Sequence, residues 1–221
     1  MSMNEIEKHL NWQGLFSKLE PGKTTPDLFL QRHQTNPIRD TLKSIIVTYL
    51  VKQKMSSIME VGFGSGYEYE RLEKSLKLLD VRYIGVDYTK AFVDTARENY
   101  PDVWWVWGDV RRLEFKDDSM DLIFLCHVLE HQNGLPDLTR AIRELCRVSK
   151  SVVMIVWFVP PSLTNKTTYF MDGDFFVYNY SIQDVANIII DSGFMIKEIS
   201  WQNLQSKNNC LWVLEKKELN K

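Results

Sequence analysis

From residue 57 onward, short apolar segments alternate along the chain with stretches whose apolar residues recur three or four positions apart. The first pattern is typical of buried strands and the second of amphipathic helices. Strands that alternate with helices form a largely parallel sheet with helices on its faces. The sequence therefore predicts an α/β fold with strands at 57–61, 83–87, 103–107, 121–126, 151–159, 195–201 and 210–215.

Helices are predicted between most of these strands, at 67–79, 90–100, 138–148 and 182–192. Pro101 ends the second of them and Gly193 the last, because proline cannot continue a helix and glycine accepts the left-handed conformation that follows one. Another helix is predicted ahead of the sheet, from Pro37 to about Val51, with Asn36 as its cap. No helical pattern separates the last two strands, so we expect them to form an antiparallel hairpin at one edge of the sheet.

The composition of the chain is that of a soluble globular protein. Of its 221 residues, 44% are hydrophobic and 25% are charged, which fits a single domain with a full core. No apolar run approaches the roughly 18 residues of a membrane-spanning helix, and the polar N-terminus does not resemble a secretory signal. We therefore expect a cytoplasmic protein without membrane contact. Three widely spaced cysteines fit neither a disulfide framework nor a Cys-x-x-Cys metal site, so reduced thiols are expected at Cys126, Cys146 and Cys210.

The charge balance gives no sign of a nucleic-acid partner. The 27 basic and 29 acidic residues leave a net charge of −2, which provides no general attraction to phosphate backbones. Two adjacent basic pairs, Arg111 with Arg112 and Lys216 with Lys217, are interpreted as solvated surface. Nucleic acid is therefore disfavoured as a partner.

The strand at 57–61 runs directly into a glycine-rich turn. Gly62, Gly64 and Gly66 occupy alternate positions, and glycine allows both a positive φ and close contact between the backbone and a ligand. The dinucleotide fingerprint Gly-x-Gly-x-x-Gly would need glycine where this chain has Tyr67. The turn therefore favours a nucleoside cofactor that carries no pyrophosphate.

Two aspartates follow the next strands at the same edge of the predicted sheet. Asp87 ends the second strand, 25 positions beyond Gly62, about where an acidic residue binds ribose hydroxyls in nucleoside-binding sheets. Asp109 follows the third strand and can accept a hydrogen bond from an exocyclic adenine amine. Either aspartate alone could simply cap a turn or a helix, whereas their spacing from the glycines indicates a shared nucleoside site.

These residues and the segments around them resemble the class I S-adenosylmethionine-dependent methyltransferases, in particular the small-molecule branch called methyltransferase type 11. The resemblance covers about residues 57–215. Its elements are Glu-Val-Gly-Phe-Gly-Ser-Gly at 60–66, Gly-Val-Asp at 85–87, Gly-Asp-Val at 108–110 and, as the strongest, the segment 113–131 that ends in Cys-His-Val-Leu-Glu-His. One departure is Ser-Lys-Ser at 149–151, where the family commonly has Pro-Gly-Gly.

The resemblance implies a Rossmann-like, seven-stranded, mostly parallel sheet with strand order 3-2-1-4-5-7-6 and an antiparallel last strand. It also implies S-adenosyl-L-methionine as the cofactor. The glycine turn and Glu60 would lie near its methionine part, Asp87 near its ribose, and Asp109 near its adenine. The residues implied in cofactor binding are Glu60, Gly62, Phe63, Gly64, Gly66, Asp87, Tyr88, Asp109, Val110, Cys126 and His127.

The reaction that the resemblance implies is in-line transfer of a methyl group to a small molecule, for which the protein mainly aligns the acceptor and excludes water. Where the acceptor must lose a proton, His127 and His131 are the candidate bases. Acceptor specificity is expected from an N-terminal helical cap at 1–50 and from an aromatic-rich insertion at 160–180, which could also be a packed β-hairpin. The whole chain, 1–221, is thus expected to be one methyltransferase domain with its cofactor-binding core at 51–221.

Other functions are compatible with parts of the sequence. A protein of this fold could bind the cofactor for regulation without turnover. His127, Glu130 and His131 also match the His-x-x-Glu-His pattern of zinc metalloproteases. That chemistry needs the motif inside a helix, whereas here it follows a predicted strand, so no metal site is expected. Adenine N6 methylation is disfavoured, because Cys-His-Val-Leu stands where such enzymes usually carry Asn- or Asp-Pro-Pro-aromatic.

Overall fold

The apolar and amphipathic segments fold into the alternating strands and helices that the sequence predicts. The computed structural model describes residues 37–163, 166–172, 175–204 and 207–217. A 3₁₀ turn at Leu129–His131 follows the fourth strand. In chain order the other elements are α1 (Pro37–Lys52), β1 (Ser57–Val61), α2 (Tyr67–Leu78), β2 (Arg82–Asp87), α3 (Lys90–Asn99), β3 (Trp104–Trp107), β4 (Met120–Cys126), α4 (Gly134–Val148), β5 (Ser149–Trp157), β6 (Thr168–Asp172), β7 (Phe175–Asn179), α5 (Ile182–Asp191), β8 (Phe194–Leu204) and β9 (Lys207–Lys216).

Seven of these strands form the main sheet, in the order β3-β2-β1-β4-β5-β9-β8. The first five strands in this order, β3, β2, β1, β4 and β5, are parallel to one another. By contrast, β9 runs antiparallel to both β5 and β8. Because β6 and β7 pair only with each other, numbering the strands of the main sheet alone gives the order 3-2-1-4-5-7-6. The predicted order and the antiparallel hairpin at one edge are therefore confirmed.

Both faces of the sheet are buried under helices, as expected for parallel strands. Successive residues of a strand point to opposite faces. In β4, Leu122 and Phe124 pack with residues of α1, α2 and α3, while Ile123 and Leu125 pack with residues of α4 and α5. All four side chains have 0% exposure, and burying each stabilises the fold by about 1.5–3 kcal/mol. The sheet is thus a rigid support for residues at its carboxyl edge.

The helix α4 begins four residues earlier than predicted, at Gly134 instead of residue 138. Pro136 is the third residue of this helix. It is tolerated because the N–H groups of the first helical turn have no partner within the helix. The early start brings the N-terminus of α4 close to the 3₁₀ turn after β4.

The aromatic-rich insertion forms the hairpin β6–β7, which confirms the β-hairpin interpretation of this segment. The Tyr180 hydroxyl donates to the carbonyl oxygen of Gln132 over 2.9 Å, and that of Tyr178 donates to Oδ1 of Asn133 over 3.3 Å. The two tyrosine rings stack, with 5.7 Å between their centres. These contacts attach the hairpin to the segment that follows the 3₁₀ turn.

Of the N-terminal cap predicted at 1–50, the structure describes α1 from residue 37, and the rest lies outside the described residues. The three cysteines are buried and free of disulfide bonds, and their reduced state stays a prediction. Among the helices in the described ranges, none is both long and apolar enough to cross a membrane.

Candidate functional site

The turn between β1 and α2 is built from three glycines in the left-handed region, with φ values of 73° at Gly62, 56° at Gly64 and 78° at Gly66. Gly62 is the most enclosed of the three glycines. Its N–H donates to the carbonyl of Val86 over 2.7 Å. A Cβ added there would lie 2.4 Å from Cγ2 of Val128. At Gly64, no atom of the described residues lies within 4 Å of the corresponding Cβ position. The predicted turn is present, closed at Gly62 and open at Gly64.

Asp87 ends β2 and is bonded directly to this turn. Its carboxylate accepts the N–H of Gly64 through Oδ2 and the N–H of Thr89 through Oδ1, each over 2.8 Å. A carboxylate offers about four lone pairs, so both oxygens can still accept a hydrogen bond from a ligand hydroxyl. Burial raises the pKa of Asp87 to about 6, and the two backbone N–H groups oppose that shift. The glycine turn and Asp87 thus lie together, as their spacing predicted.

Two buried pairs of ionisable side chains, Glu60 with Tyr83 and Glu68 with Arg39, flank the glycine turn. Glu60 in β1 is 2% exposed and accepts the hydroxyl hydrogen of Tyr83. Burial, and then the nearby Glu68 carboxylate, raise the pKa of Glu60 well above its ordinary value. Glu68, in the first turn of α2, pairs with Arg39 of α1. The Arg39–Glu68 pair thus joins the starts of α1 and α2, its charges act on Glu60, and the contact of Glu60 with a methionine group stays a prediction.

Arg39 and Glu68 are not among the predicted site residues, although the sequence contains a signal for the glutamate. Glu68 stands four residues before Leu72 and eight before Leu76, both of which are buried, so it lies on the apolar stripe of α2. A charged residue on such a stripe indicates a buried ion pair. The Arg39 guanidinium also lies 5.2 Å from the centre of the Tyr67 ring, within cation-π range.

Asp109 follows β3 and lies beside the end of β2, where the N–H of Gly108 donates to the carbonyl of Asp87 over 2.9 Å. Its carboxylate accepts the backbone N–H of Arg111 over 2.8 Å and the Nη2 hydrogen over 2.6 Å. Burial acts in the opposite direction, but these bonds prevail and lower the pKa of Asp109. Arg111 also donates from Nη1 to Oδ2 of Asp137 over 2.8 Å. The interpretation of Arg111 as solvated surface is therefore wrong, because it links the loop after β3 to α4.

The other predicted cofactor residues differ in exposure. The Phe63 ring packs on Trp105, with 4.6 Å between ring centres, and Val110 is buried as well. Tyr88 is 43% exposed at the end of β2. Cys126 is buried at the end of β4, and burial raises the pKa of its thiol well above the ordinary value, so the thiol stays protonated. Phe63 and Val110 can thus approach a cofactor mainly through their backbone, and Tyr88 through its side chain.

His127 comes directly after β4 and is held by its backbone and by its ring. Its φ is 57°, a left-handed conformation that is uncommon outside glycine. Its N–H donates to the carbonyl of Val156 over 2.9 Å. Its ring nitrogen Nε2 lies 2.9 Å from Oδ1 of Asn209, and its ring centre lies 5.7 Å from that of Phe158. No local sequence pattern predicts Asn209, which is 82 positions away from His127 along the chain.

Glu130 and His131 lie in the 3₁₀ turn that follows. Glu130 has 0% exposure, and its Oε1 accepts the N–H of Phe158 over 2.5 Å. Its Oε2 is buried and has no hydrogen-bond partner among the residues that the structure describes. Burial raises the pKa of Glu130 to about 7. The His-x-x-Glu-His pattern thus spans a strand end and a 3₁₀ turn instead of an α-helix, and the residues that the structure describes include no group of three or more His, Cys, Asp or Glu able to hold a metal ion.

The buried carboxyl of Glu130 is expected to make the protein less stable as the pH rises. Its pKa changes from 4.5 to about 7 on folding, so the folded chain keeps a proton that the unfolded chain has lost. The contribution of this group to the free energy of unfolding is complete below pH ~4.5 and falls by roughly 2–3 kcal/mol between pH 5 and pH 8. Chemical denaturation of the wild type and of Glu130→Gln at both pH values measures this, since glutamine keeps an oxygen for the Phe158 N–H but does not titrate. A difference between the two proteins that is the same at both pH values would contradict it.

Comparison with protein families matches residues 59–156 to a methyltransferase domain. Among curated proteins, a probable S-adenosylmethionine-dependent methyltransferase of Mycobacterium tuberculosis is 26% identical over 143 residues, which are 62% of this chain and 48% of that protein. A bifunctional biotin biosynthesis protein of Cellvibrio japonicus is 29% identical over 107 residues, which are 48% of this chain and 20% of that protein. The chain thus spans half or less of the length of these relatives.

Solved structures of similar fold include several methyltransferases. Magnesium protoporphyrin IX methyltransferase from Synechocystis PCC 6803, with bound S-adenosylmethionine, has a TM-score of 0.65 and 15% identity over 97% of this chain and 96% of its own. The 1,6-didemethyltoxoflavin-N1-methyltransferase of Burkholderia thailandensis has a TM-score of 0.71 and 11% identity over 99% of this chain and 92% of its own. At these identities, the likeness shows a shared fold.

Proposed function

We propose that the chain is an S-adenosylmethionine-dependent methyltransferase with a small-molecule acceptor, a proposal supported by the match of residues 59–156 to a methyltransferase domain. The observation that carries the proposal is the 2.8 Å hydrogen bond from the N–H of Gly64 to Oδ2 of Asp87. This bond places the backbone of Gly64, which a ligand can approach closely, beside the Asp87 carboxylate, which can bind ribose hydroxyls. Both groups lie at the carboxyl ends of adjacent parallel strands, where open α/β sheets bind their ligands.

The residues present fit S-adenosyl-L-methionine. The turn is open at Gly64, where a ligand can press against the backbone. The two oxygens of Asp87 suit a pair of ribose hydroxyls, and the Asp109 carboxylate and the Val110 backbone suit an adenine edge. Tyr67 can stand where the dinucleotide fingerprint has its third glycine, because this cofactor has no pyrophosphate. When bound, it supplies a methyl group that is activated by a positively charged sulfur.

The chain itself has mainly to align the acceptor behind this methyl group and to exclude water. Few catalytic side chains are needed for that. His127 and His131 follow β4 at the same edge of the sheet as the glycine turn, and we propose them as bases for an acceptor that must lose a proton.

The hairpin β6–β7 is proposed as the wall of the acceptor site. It carries two exposed aromatic side chains, Tyr169 at 50% and Phe170 at 43% exposure, and it packs on the segment after the 3₁₀ turn through Tyr178 and Tyr180. Two neighbours of similar fold are named for planar heteroaromatic acceptors, magnesium protoporphyrin IX and 1,6-didemethyltoxoflavin. These observations support a small acceptor with a ring that can stack.

The remaining parts of the proposal concern organisation and location. The cap at 1–50, the core at 51–221 and the acceptor-side insertion at 160–180 are proposed to form one domain. The described part of the insertion supports this by packing on the core. A cytoplasmic location is supported by three unpaired cysteines, since reduced thiols are usual in that compartment.

Removing both exposed aromatics of the hairpin is expected to weaken acceptor binding selectively. Tyr169→Ala with Phe170→Ala should raise the acceptor KM by about two- to tenfold, since adjacent strand residues face opposite sides and the one ring that faces the acceptor contributes about 0.5–1.5 kcal/mol. Cofactor affinity should stay within about twofold of the wild type, because the hairpin is separate from the glycine turn. Trp201→Ala is the matched control: its side chain is an aromatic of 59% exposure on the edge strand β8. Equal KM values for the control and the double variant would contradict the assignment of the wall.

The proposed function is tested by combining a binding and a product measurement. Isothermal titration with S-adenosylhomocysteine measures cofactor binding. Incubation with S-adenosylmethionine and a panel of phenols, carboxylates, amines and heteroaromatic compounds measures acceptor-dependent formation of S-adenosylhomocysteine. We expect binding and product with at least one compound class. Binding without product for any class would favour a regulatory cofactor-binding protein, and absence of binding would overturn the proposal.

A further inference from the structure

The conformation of His127 is fixed at three points. Its backbone adopts the left-handed conformation, with φ at 57°, and its N–H is bonded to the carbonyl of Val156. Its ring packs against Phe158, and Nε2 lies 2.9 Å from Oδ1 of Asn209. Strained backbone of this kind persists only where the surroundings hold it, and it is frequent at functional sites. The contact with Asn209 is made directly by the ring nitrogen Nε2.

Asn209 reaches this position because of the direction of its strand. β9 runs antiparallel to β5, so the start of β9 lies at the same edge of the sheet as the ends of β4 and β5. Cys210 pairs with Trp157, the last residue of β5, and Asn209 precedes that pair. The side chain is 1% exposed. A buried amide must have its hydrogen-bonding capacity met, so its bond to the histidine ring is a fixed feature of the interior.

The chemistry of the pair determines the tautomer of the histidine. An amide oxygen only accepts hydrogen bonds, so Nε2 must carry the hydrogen that it donates to Oδ1 of Asn209. The basic lone pair of the neutral ring is then on Nδ1. Asn209 is uncharged, so it orients the ring but stabilises the imidazolium form little. A carboxylate at the same place would stabilise that charged form strongly.

We propose that Asn209 is a positioning residue that holds His127 in the Nε2–H tautomer at the acceptor side of the site. This inference rests on the proposed function. It assigns the proton transfer within that function to Nδ1. The O–H or N–H bond of an acceptor breaks, its electron pair stays on the acceptor atom, and its proton passes to Nδ1 of His127.

The ¹⁵N chemical shifts of the histidine rings test the proposal without any acceptor. The chain contains four histidines, and the spectrum of His127→Gln identifies the signals of His127. We expect a protonated, pyrrole-type Nε2 and a pyridine-type Nδ1 in the wild type. Asn209→Leu should convert the ring to a mixture of both tautomers. Asn209→Asp should keep the imidazolium form to a pH higher by about one unit, because a carboxylate favours the charged ring.

Two further measurements make the outcome specific. Glu130 also contacts Phe158 and titrates near neutral pH, so the pH series is repeated with Glu130→Gln, and the effect of Asn209→Asp should be the same in that background. Addition of S-adenosylhomocysteine should shift Nδ1 of His127 in the wild type. A tautomer that is unchanged in folded Asn209→Leu would overturn the proposal. Failure of S-adenosylhomocysteine to bind any variant would instead overturn the proposed function, with the tautomer result still standing.

Discussion

Gly62→Ala is expected to lower the free energy of unfolding by about 2–5 kcal/mol. A residue with a side chain at φ 73° costs about 1–2 kcal/mol. The added Cβ would also lie 2.4 Å from Cγ2 of Val128, and overpacking of this kind costs about 1–3 kcal/mol more. Because the turn must shift to relieve the contact, cofactor affinity should fall as well. Chemical denaturation and titration with S-adenosylhomocysteine measure the two effects.

Two further variants separate the effect of the positive φ from the effect of the contact with Val128. Val128→Ala removes the methyl group that the new Cβ would meet, so it should restore part of the stability of Gly62→Ala. Gly64→Ala has no described atom within 4 Å of its new Cβ, so it should lose only about 1–2 kcal/mol of stability through its positive φ. Its cofactor affinity should nevertheless fall at least tenfold, because the space beside Gly64 is where the ligand is proposed to lie. Unchanged affinity in folded Gly64→Ala would show that the cofactor does not approach the turn there.

Asp87→Asn is expected to weaken cofactor binding by about 100-fold at pH 8. Hydrogen bonds to a charged group contribute about 1.5–3 kcal/mol each, and the variant loses the charge-assisted part of two proposed ribose contacts. The variant should remain folded, because the amide oxygen can still accept the N–H of Gly64 or that of Thr89. Titration calorimetry gives the affinity, and a thermal melt of the same sample verifies folding.

The same residue should give cofactor binding a characteristic pH dependence. Burial raises the pKa of Asp87 to about 6, and only the ionised carboxylate can accept hydrogen bonds from both ribose hydroxyls through both oxygens. The affinity of the wild type should therefore be constant above pH ~7 and decrease by up to about tenfold per unit below pH ~6. Asp87→Asn should show a low, flat profile. A wild-type affinity that stays constant from pH 8 to pH 5 would argue against the ribose role of Asp87.

Much of the fold could be predicted because it depends on local pattern. The strands of the sheet are short apolar runs, and their alternation with helices allows few topologies. The glycine turn and Asp87 were predictable for the same reason, since each ends a strand and parallel strands bring their ends to one edge. The start of α4 was wrong by four residues, because Pro136 interrupts the helical pattern but is compatible with the first turn of a helix.

The parts of the site that were missed depend on contacts between distant segments. Asn209 meets His127 across 82 positions, and only the direction of β9 brings them together. The local sequence around Arg111 is typical of a surface arginine, and its pairing with Asp137 of α4 is visible only in the fold. Glu68 was detectable, because it interrupts an apolar stripe, but its partner Arg39 lies on another helix. The spacing of residues within one helix or strand does not show which side chain of another element will be its partner.

We propose that the turn at residues 62–66 and Asp87 together bind an S-adenosyl cofactor. Isothermal titration of the full chain with S-adenosylhomocysteine at pH 8, with Gly64→Ala and Asp87→Asn measured alongside, decides this. We predict one binding site in the wild type and a large loss of affinity in both variants, each of which remains folded. Absence of binding in the folded wild type, or equal affinity in all three proteins, would contradict the claim.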